Sequence, residues 1–305
     1  MTGYILRRGG QSLLAFLFLL VLVFFLARMT GDPTNLFLPM DAPMDQRIAF
    51  AERHGFNAPM YVQFGRYFYD MLHFDFGQSI FQGRPAMDAA LNAFPVTLKL
   101  ALVTMILAMF FSILIGSLSA FRPGGVFDRI ASMITITSAS APDFWVAIVA
   151  ILVFSVSLGL LPTSGMGSAW HWILPVGVLL IRPLGLMTQV VRASMIGALA
   201  SPYVKTARAK GAGNRRIIFL HALRNSLLTV VTVAGDQAAA LINGAVVVET
   251  VFGWPGIGNL MISAIKQRDF AVVQACILLT AFAIFVMNIL IDFAYTRIDP
   301  RIRTN

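Results

Sequence analysis

The chain has 305 residues, of which 58% are hydrophobic and only 12% charged, and its formal net charge is +9. Soluble domains carry about a quarter charged residues. This composition therefore excludes a soluble protein and indicates a polytopic membrane protein. The basic residues lie at the ends of apolar runs, which indicates membrane topology and not nucleic-acid binding. The single Cys276 excludes an intrachain disulfide and a cysteine-cluster metal site.

The apolar runs predict an all-α membrane protein with six transmembrane helices. The first run continues through Phe25 without a small-residue cleavage site, so we expect a retained span and not a removed signal peptide. The predicted spans are roughly Ser12–Met29, Val96–Phe121, Ile130–Leu158 with a break at Pro142, Trp172–Val191 with a break at Pro183, Ile217–Val248 and Val272–Tyr295.

Basic residues predict the orientation of these spans. Arg7 and Arg8 precede the first span, a basic segment from Arg192 to Arg224 separates the fourth and fifth, and Arg297 follows the sixth. The positive-inside rule then places both termini and the basic segment in the cytoplasm. We therefore divide the chain into residues 1–29 (first span), 30–94 (an external segment), 95–296 (a transmembrane core containing a cytoplasmic helix at 201–211) and 297–305 (a cytoplasmic tail).

The external segment is expected to contain a helix. Five apolar residues recur there at helical spacing, which predicts an amphipathic helix lying on the surface. They are Tyr61, Phe64, Tyr67, Phe68 and Leu72.

Enzyme signatures are missing from the sequence. It contains no Gly-x-x-x-x-Gly-Lys-Ser/Thr phosphate loop and no His-Glu-x-x-His, and its four histidines are scattered. Val233-Ala-Gly-Asp236 differs at its first residue from the Gly-x-Gly-Asp pattern of intramembrane aspartyl proteases. A secondary transporter stays an alternative, although such proteins often show inverted repeats and none is evident. We predict no catalytic residue, metal site or cofactor in this chain.

The segment from Ser201 to Arg224 is rich in helix punctuation. It has six basic residues and no acid. Ser201 suits an N-cap, Pro202 the first helical position and Gly211 the left-handed position that ends a helix, while Asn214 could cap the next one. A short, separately capped helix is predicted. The residues alone leave open whether it binds a protein or only touches lipid headgroups.

Three ionisable residues, Asp143, Arg182 and Asp236, fall within predicted spans. Charged groups at that depth are costly and usually face a partner or water. Two interpretations stay open: a structural ion pair between Arg182 and either acid, or the lining of a substrate path. Pro142, Pro183 and Gly235 loosen the local helices beside them, which favours a path.

Residues Ala207-Arg208-Ala209-Lys210-Gly211, with Leu223 twelve residues after the glycine, resemble the cytoplasmic "EAA" loop of ABC importer permeases. Lys205 and Thr206 stand where the general pattern has Glu and Ala, and Arg224 stands in place of a proline. The variant is similar to the dipeptide/oligopeptide/nickel branch, and in particular to its first, "B-type" permease. Other segments that fit this branch are Tyr4–Arg8, Gly31–Pro33, Phe76–Ser79, Phe144–Trp145, Leu161–Gly165, Arg192–Met195, His221–Asn225 and Glu249–Gly258.

This resemblance implies one transmembrane subunit of an ATP-driven importer in the bacterial inner membrane. It implies a homologous second permease, two cytoplasmic ATPases that bind ATP and Mg²⁺, and a periplasmic solute-binding protein as partners. Short peptides are the expected solute, with nickel chelates, glutathione, opines and oligosaccharides as alternatives. The residues expected to dock into the ATPase are Tyr203, Lys205, Thr206, Ala207, Arg208, Ala209, Lys210 and Gly211.

The glycine-rich segment between the fifth and sixth spans is expected to lie outside. Its glycines and proline prevent a continuous helix and allow close backbone approach. One interpretation is a turn with Trp254 anchored at the membrane interface. The other, which the resemblance favours, is a re-entrant loop that faces the solute-binding protein. The residues of this outer mouth are Gly253, Trp254, Pro255, Gly256 and Gly258.

Overall fold

The computed structural model describes residues 2–29, 38, 41–54, 57–79 and 81–298. Its regular elements are helices, with one isolated antiparallel bridge between Gln78 and Pro85, so the all-α class is confirmed. The Gly31–Pro33 motif and residues 299–305 of the predicted tail lie outside the described residues. In chain order the helices are α1 (Thr2–Met29), α2 (Met44–His54), α3 (Met60–Leu72), α4 (Ala86–Phe121), α5 (Val126–Ser140), α6 (Asp143–Ala150, continued by a π-helix at Ile151–Ser157), α7 (Trp170–Leu199), α8 (Pro202–Ala209), α9 (Asn214–Arg216, continued by a π-helix at Ile217–Ala222), α10 (Leu223–Val251), α11 (Ile257–Gln267) and α12 (Phe270–Ile298).

The chain packs as two compact units. One comprises Met1–Thr97 and Pro255–Ile289, and the other comprises Leu98–Trp254 and Leu290–Asn305.

In the first unit, α3 is the predicted amphipathic helix, but most of its aromatic face is used inside the protein. Phe24 of α1 is fully buried, and its ring centroid lies 5.1 Å from that of Phe64 and 5.4 Å from that of Tyr67. Of the five residues predicted to form the apolar face, Tyr61 and Leu72 are the exposed ones. Aromatic pairing of this kind adds to area burial, so α3 packs its aromatic residues on α1.

In the second unit, α7 packs closely against two neighbours. A Cβ atom at Gly116 of α4 would lie 2.7 Å from Cβ of Val191, and one at Gly185 of α7 would lie 2.9 Å from the carbonyl oxygen of Thr135 in α5. Small residues allow such close approach between membrane helices. The buried cluster between α4, α7 and the start of α10 contains Ala108, Ala120, Met187, Val191, Met195, Ile218, Ala222, Val230 and Ala234.

The predicted spans are recovered in part. Among the described residues, four helices are long and apolar enough to cross a membrane: Ala86–Phe121, Trp170–Leu199, Thr229–Val251 and Phe270–Ile291. The sharply bent pair Val126–Ser138 and Asp143–Ser157 would be a fifth, and Leu13–Phe25 is a shorter apolar helix at the place of the first predicted span. A count of six therefore stays a prediction.

The two predicted helix breaks have opposite outcomes. The break at Pro142 is confirmed, because α5 ends at Ser140 and α6 begins at Asp143. The break at Pro183 is wrong, since α7 runs continuously through both Pro175 and Pro183. Proline removes one backbone hydrogen bond but is tolerated in membrane helices whose neighbours hold them in place.

We expect Gly116→Ala to destabilise the protein by about 1–3 kcal/mol, because the added methyl group overpacks the contact with Val191 and the Thr188 carbonyl. Gly177→Ala on α7 is the matched control, since no described atom lies within 4 Å of its Cβ position. The apparent Tm of the purified protein in detergent should fall for Gly116→Ala only. Equal values for both variants would contradict the packing described here.

Candidate functional site

The short helix predicted between the fourth and fifth spans is present as α8. Pro202 occupies its first position, as predicted, and Gly211 has φ +80°, in the left-handed region. The N–H of Ala212 donates to the carbonyl of Ala207 at 3.1 Å, and the N–H of Gly211 donates to that of Arg208 at 2.9 Å. This pair of bonds is the Schellman motif that glycine permits at a helix end.

Both predicted N-caps need correction. Ser201 occupies the N-cap position, but its hydroxyl donates to the carbonyl of Ala198 at 2.5 Å. That carbonyl belongs to the last turn of α7 and also accepts a hydrogen bond from the N–H of Ser201 at 3.2 Å. Gly213, and not Asn214, precedes α9. Ser201 therefore ties the start of α8 to the end of α7.

Helix α8 is anchored through one side chain. Val204 is 0% exposed, and α8 contacts the π-helical segment 217–222. Ala207 is half-buried. The other residues predicted to dock all lie exposed: Tyr203, Lys205, Thr206, Arg208, Ala209, Lys210 and Gly211. The outward face of α8 is thus basic, with a tyrosine at its start and no acid in the segment.

Two residues of the predicted outer mouth belong to the second unit. Gly253 has φ +56°, and the N–H of Gly165 donates to the carbonyl of Phe252 at 2.8 Å. Trp254 is 0% exposed, and its ring meets Trp172 edge to face at 4.8 Å. The interpretation of Trp254 as an interfacial anchor is therefore wrong, because its indole is buried inside the protein.

The other residues of this segment belong to the first unit. Pro255 is exposed, whereas Gly256 and Gly258 are buried at the start of α11. The N–H of Ile257 donates to Oγ1 of the buried Thr97 at 2.9 Å. Helix α11 was not predicted, although Ile257, Leu260, Met261 and Ala264 recur at helical spacing and could have revealed it.

Arg182 and Asp143, which both fall within predicted spans, are brought together. Nη2 of Arg182 lies 3.5 Å from Oδ1 of Asp143, and their side chains are 51% and 26% exposed. Within the described residues, the acid that pairs with Arg182 is Asp143 and not Asp236. Asp236 lies exposed on α10. The ion pair is therefore loose, and the guanidinium keeps donors for other groups.

Polar residues that sequence reasoning missed share a face with Asp236. From Thr229 onward, the exposed positions of α10 fall on a single helical face. They are Thr229, Thr232, Asp236, Ala240, Asn243 and Val247. The exposed face of α7 that contains Arg182 continues through Leu186, Gln189, Ala193 and Gly197.

From Leu102 onward, helix α4 shows the opposite pattern, because its exposed residues there are large and apolar, as on a lipid-facing surface. They include Leu102, Ile106, Phe110, Leu114 and Leu118. The polar face of α10, and the part of the α7 face that carries Arg182 and Gln189, are thus unsuited to lipid. Their spacing, readable in the sequence as polar residues three, four or seven apart, was the signal that could have found them.

The sequence matches a known family. Residues 112–304 fit the profile described as "binding-protein-dependent transport system inner membrane component". The chain belongs to this family.

Relatives match this permease along its length. The oligopeptide transport system permease protein AppB of Bacillus subtilis is 36% identical over 314 residues, and 99% of each chain is covered. The glutathione transport system permease protein GsiC of Salmonella paratyphi A is 35% identical over 304 residues, again with 99% of each covered. The permease is therefore a multi-pass inner-membrane subunit of an ABC importer. In this family the ATPase is a separate subunit, so the permease is not itself an enzyme.

The fold agrees with this assignment. An inward-facing structure of the MetNI methionine ABC transporter aligns with a TM-score of 0.59 and 17% identity, covering 70% of this chain and 97% of that one.

A second ion pair in the permease was missed altogether. Nε of Arg192 in α7 donates to Oδ1 of Asp128 in α5 at 2.5 Å, and Nη2 donates to Oδ2 at 2.7 Å. The N–H of Gly124 also donates to Oδ2, at 2.8 Å, and Asp128 is 3% exposed. Sequence reasoning used Arg192 for topology and for a family motif, and nothing in the pattern linked it to an acid 64 residues earlier.

We expect Gly211→Ala to loosen the end of α8. An L-residue pays about 1 kcal/mol or more in the left-handed region, which corresponds to roughly fivefold more local opening. Trypsin should therefore cut at Lys210 and Arg215 about fivefold faster in the purified permease. Gly213→Ala is the control, because its φ of −70° suits alanine. Identical cleavage rates would show that Gly211 does not hold this helix end.

Proposed function

We propose that this permease is one of two transmembrane subunits of an importer that moves short peptides from the periplasm to the cytoplasm. A homologous second permease, two cytoplasmic ATPases and a periplasmic solute-binding protein complete the assembly. The observation that carries the proposal is α8, a short helix that ends in a Schellman motif at Gly211, is anchored by Val204 and has an exposed basic face. A plain tether would need neither the defined helix end nor the buried anchor.

The proposed topology has six spans with both termini in the cytoplasm. The four long apolar helices, the bent pair and Leu13–Phe25 supply the spans. The basic residues of 192–224 support a cytoplasmic position for α8, by the positive-inside rule. ATP and Mg²⁺ bind to the partner ATPases in this arrangement.

We propose that α8 inserts into a cleft of an ATPase subunit. Lys205, Arg208 and Lys210 present positive charge there, so the cleft should offer acidic groups or carbonyl oxygens. Tyr203 adds an exposed aromatic ring of the kind enriched at protein interfaces. Closure of the ATPase pair on ATP would then move α8.

The proposed substrate path runs along the polar faces of α7 and α10. Asp143, Arg182 and Asp236 lie on or beside these faces, and polar groups at membrane depth require water or a protein partner. Both signs of charge are present, which suits the two termini of a zwitterionic peptide. A path of this kind needs differential affinity between two states and not tight binding.

At the outer end, residues 253–258 would receive solute from the binding protein. The buried Trp254, Gly256 and Gly258 shape the backbone, whereas Gly253 and Pro255 are exposed to a partner. A peptide substrate is supported by the names of the relatives, an oligopeptide permease and a permease for glutathione, which is itself a tripeptide.

Lys205→Glu should weaken association with the ATPase, because it reverses charge on the proposed docking face. We expect at least a fivefold lower yield of ATPase on co-purification with the tagged permease. Lys266→Glu makes the same charge change on α11, where Lys266 is also exposed, and should leave the yield unchanged. Equal losses for both variants would point to a general charge effect and contradict the docking role.

Arg182→Ala and Asp236→Asn should each lower uptake of a labelled tripeptide in cells at least fivefold, without loss of permease from the membrane. The reason is that each removes a charge from the proposed path. Lys266→Ala and Asp45→Asn are the controls, since both residues are exposed outside the candidate spans. If Arg182→Ala and Asp236→Asn both transport normally, these residues do not line the path.

A further inference from the structure

We infer that the Asp128–Arg192 pair is a positioning contact that passes movement of α8 into α5 and α6, and that the Asp143–Arg182 pair is the contact this movement opens. The inference rests on the proposed function, in which α8 is the element that the ATPase moves. It assigns separate tasks to two ion pairs between the same parts of the fold.

The two pairs differ in strength. Asp128 and Arg192 form two charge-assisted hydrogen bonds of 2.5 and 2.7 Å around a carboxylate that is 3% exposed, with a third bond from the backbone of Gly124. Asp143 and Arg182 form a single contact of 3.5 Å between half-exposed side chains. Bidentate Arg–carboxylate pairs are strong and geometrically specific, whereas a long exposed pair contributes little. The first suits a fixed joint and the second a contact that opens.

Helices α5 and α6 connect the two ion pairs, because Asp128 lies on α5 and Asp143 begins α6. Helix α5 is continuous from Val126 to Ser140 and packs closely on α7, because Gly185 leaves room only for the Ser138 hydroxyl and the Thr135 carbonyl. The break at Ala141–Pro142 follows directly, and Asp143 is the first residue beyond it. Movement of α5 relative to α7 is therefore restrained, whereas α6, beyond the break, is freer to move relative to α7.

Contacts link the Asp128–Arg192 pair to α8. Helix α8 touches the π-helical segment 217–222, whose buried Ile218 and Ala222 lie in the same cluster as Val191 and Met195 of α7. Along the chain, Val191 directly precedes Arg192 and Met195 follows it within one helical turn. Coupling between the two ion pairs is measured by the response of one pair to loss of the other.

The test uses the complete importer, purified with its ATPases and reconstituted in lipid nanodiscs. Spin labels are attached at Ile148→Cys on α6 and Ile173→Cys on α7, in a Cys276→Ser background. The distance between the two labels is measured by pulsed electron paramagnetic resonance. Both labelled positions are exposed.

ATP with vanadate should shift the distance distribution in the parent protein. Asp128→Asn should reduce the shifted fraction at least tenfold while co-purification with the ATPase is unchanged.

A second variant and a second pair make the result decisive. Arg192→Lys keeps the charge but loses the bidentate geometry. It should therefore give a shifted fraction between those of the parent protein and Asp128→Asn. If Asp128→Asn does not assemble with the ATPase, the result for Arg192→Lys decides the question. Asp143→Asn should instead move the distribution toward the shifted position before ATP is added. A normal ATP-dependent shift in Asp128→Asn, or in Arg192→Lys where that variant decides, would overturn the inference. Failure of the parent protein to bind ATPase or to respond to ATP would instead refute the proposed function.

Discussion

Helix α7 is the element on which the unit Leu98–Trp254 depends. Its packing is constrained on two sides, by Gly116 of α4 and by the contact of its own Gly185 with α5. It also carries both arginines that pair with acids of α5 and α6. Because protein interiors transmit strain and do not deform smoothly, a helix held in this way moves its neighbours with it. The same helix ends where Ser201 ties it to α8, so the basic helix starts from a rigid base.

The composition of α8 has consequences for its partner. The "EAA" pattern that this segment resembles has Glu and Ala where this chain has Lys205 and Thr206, so the charge at the first of these positions is reversed. With Arg208 and Lys210 also exposed, the proposed docking face is uniformly positive. Specific interfaces place opposite charge opposite such a face. Under the proposed function, the acid lost from this helix should be matched by additional acids on the ATPase, and exchange with an ATPase from another branch should fail.

Sequence reasoning succeeded where the signal was local. Pro202 and Gly211 each act through their own backbone conformation, so the bounds of α8 could be predicted from punctuation alone. It failed where the outcome depended on neighbours. Pro183 leaves α7 continuous because surrounding helices hold it, and the partner of Arg192 lies 64 residues away. Residues 253–258 were read as a loop between spans, although the apolar spacing from Ile257 onward indicates the helix that follows them.

The polar face of α10 shows why this chain needs a partner in the membrane. Thr229, Thr232, Asp236 and Asn243 lie exposed on a helix that is otherwise apolar enough to span a bilayer. Facing lipid, the exposed amide of Asn243 would lose hydrogen bonds to water, and Asp236 would add the cost of a charge in hydrocarbon. From Leu102 onward helix α4 has no such polar groups, since its exposed side chains there are large and apolar. The asymmetry between the two helices assigns this part of α4 to lipid and α10 to a water-filled path shared with a second permease subunit under the proposed function, so assembly stabilises a surface that the single chain leaves uncovered.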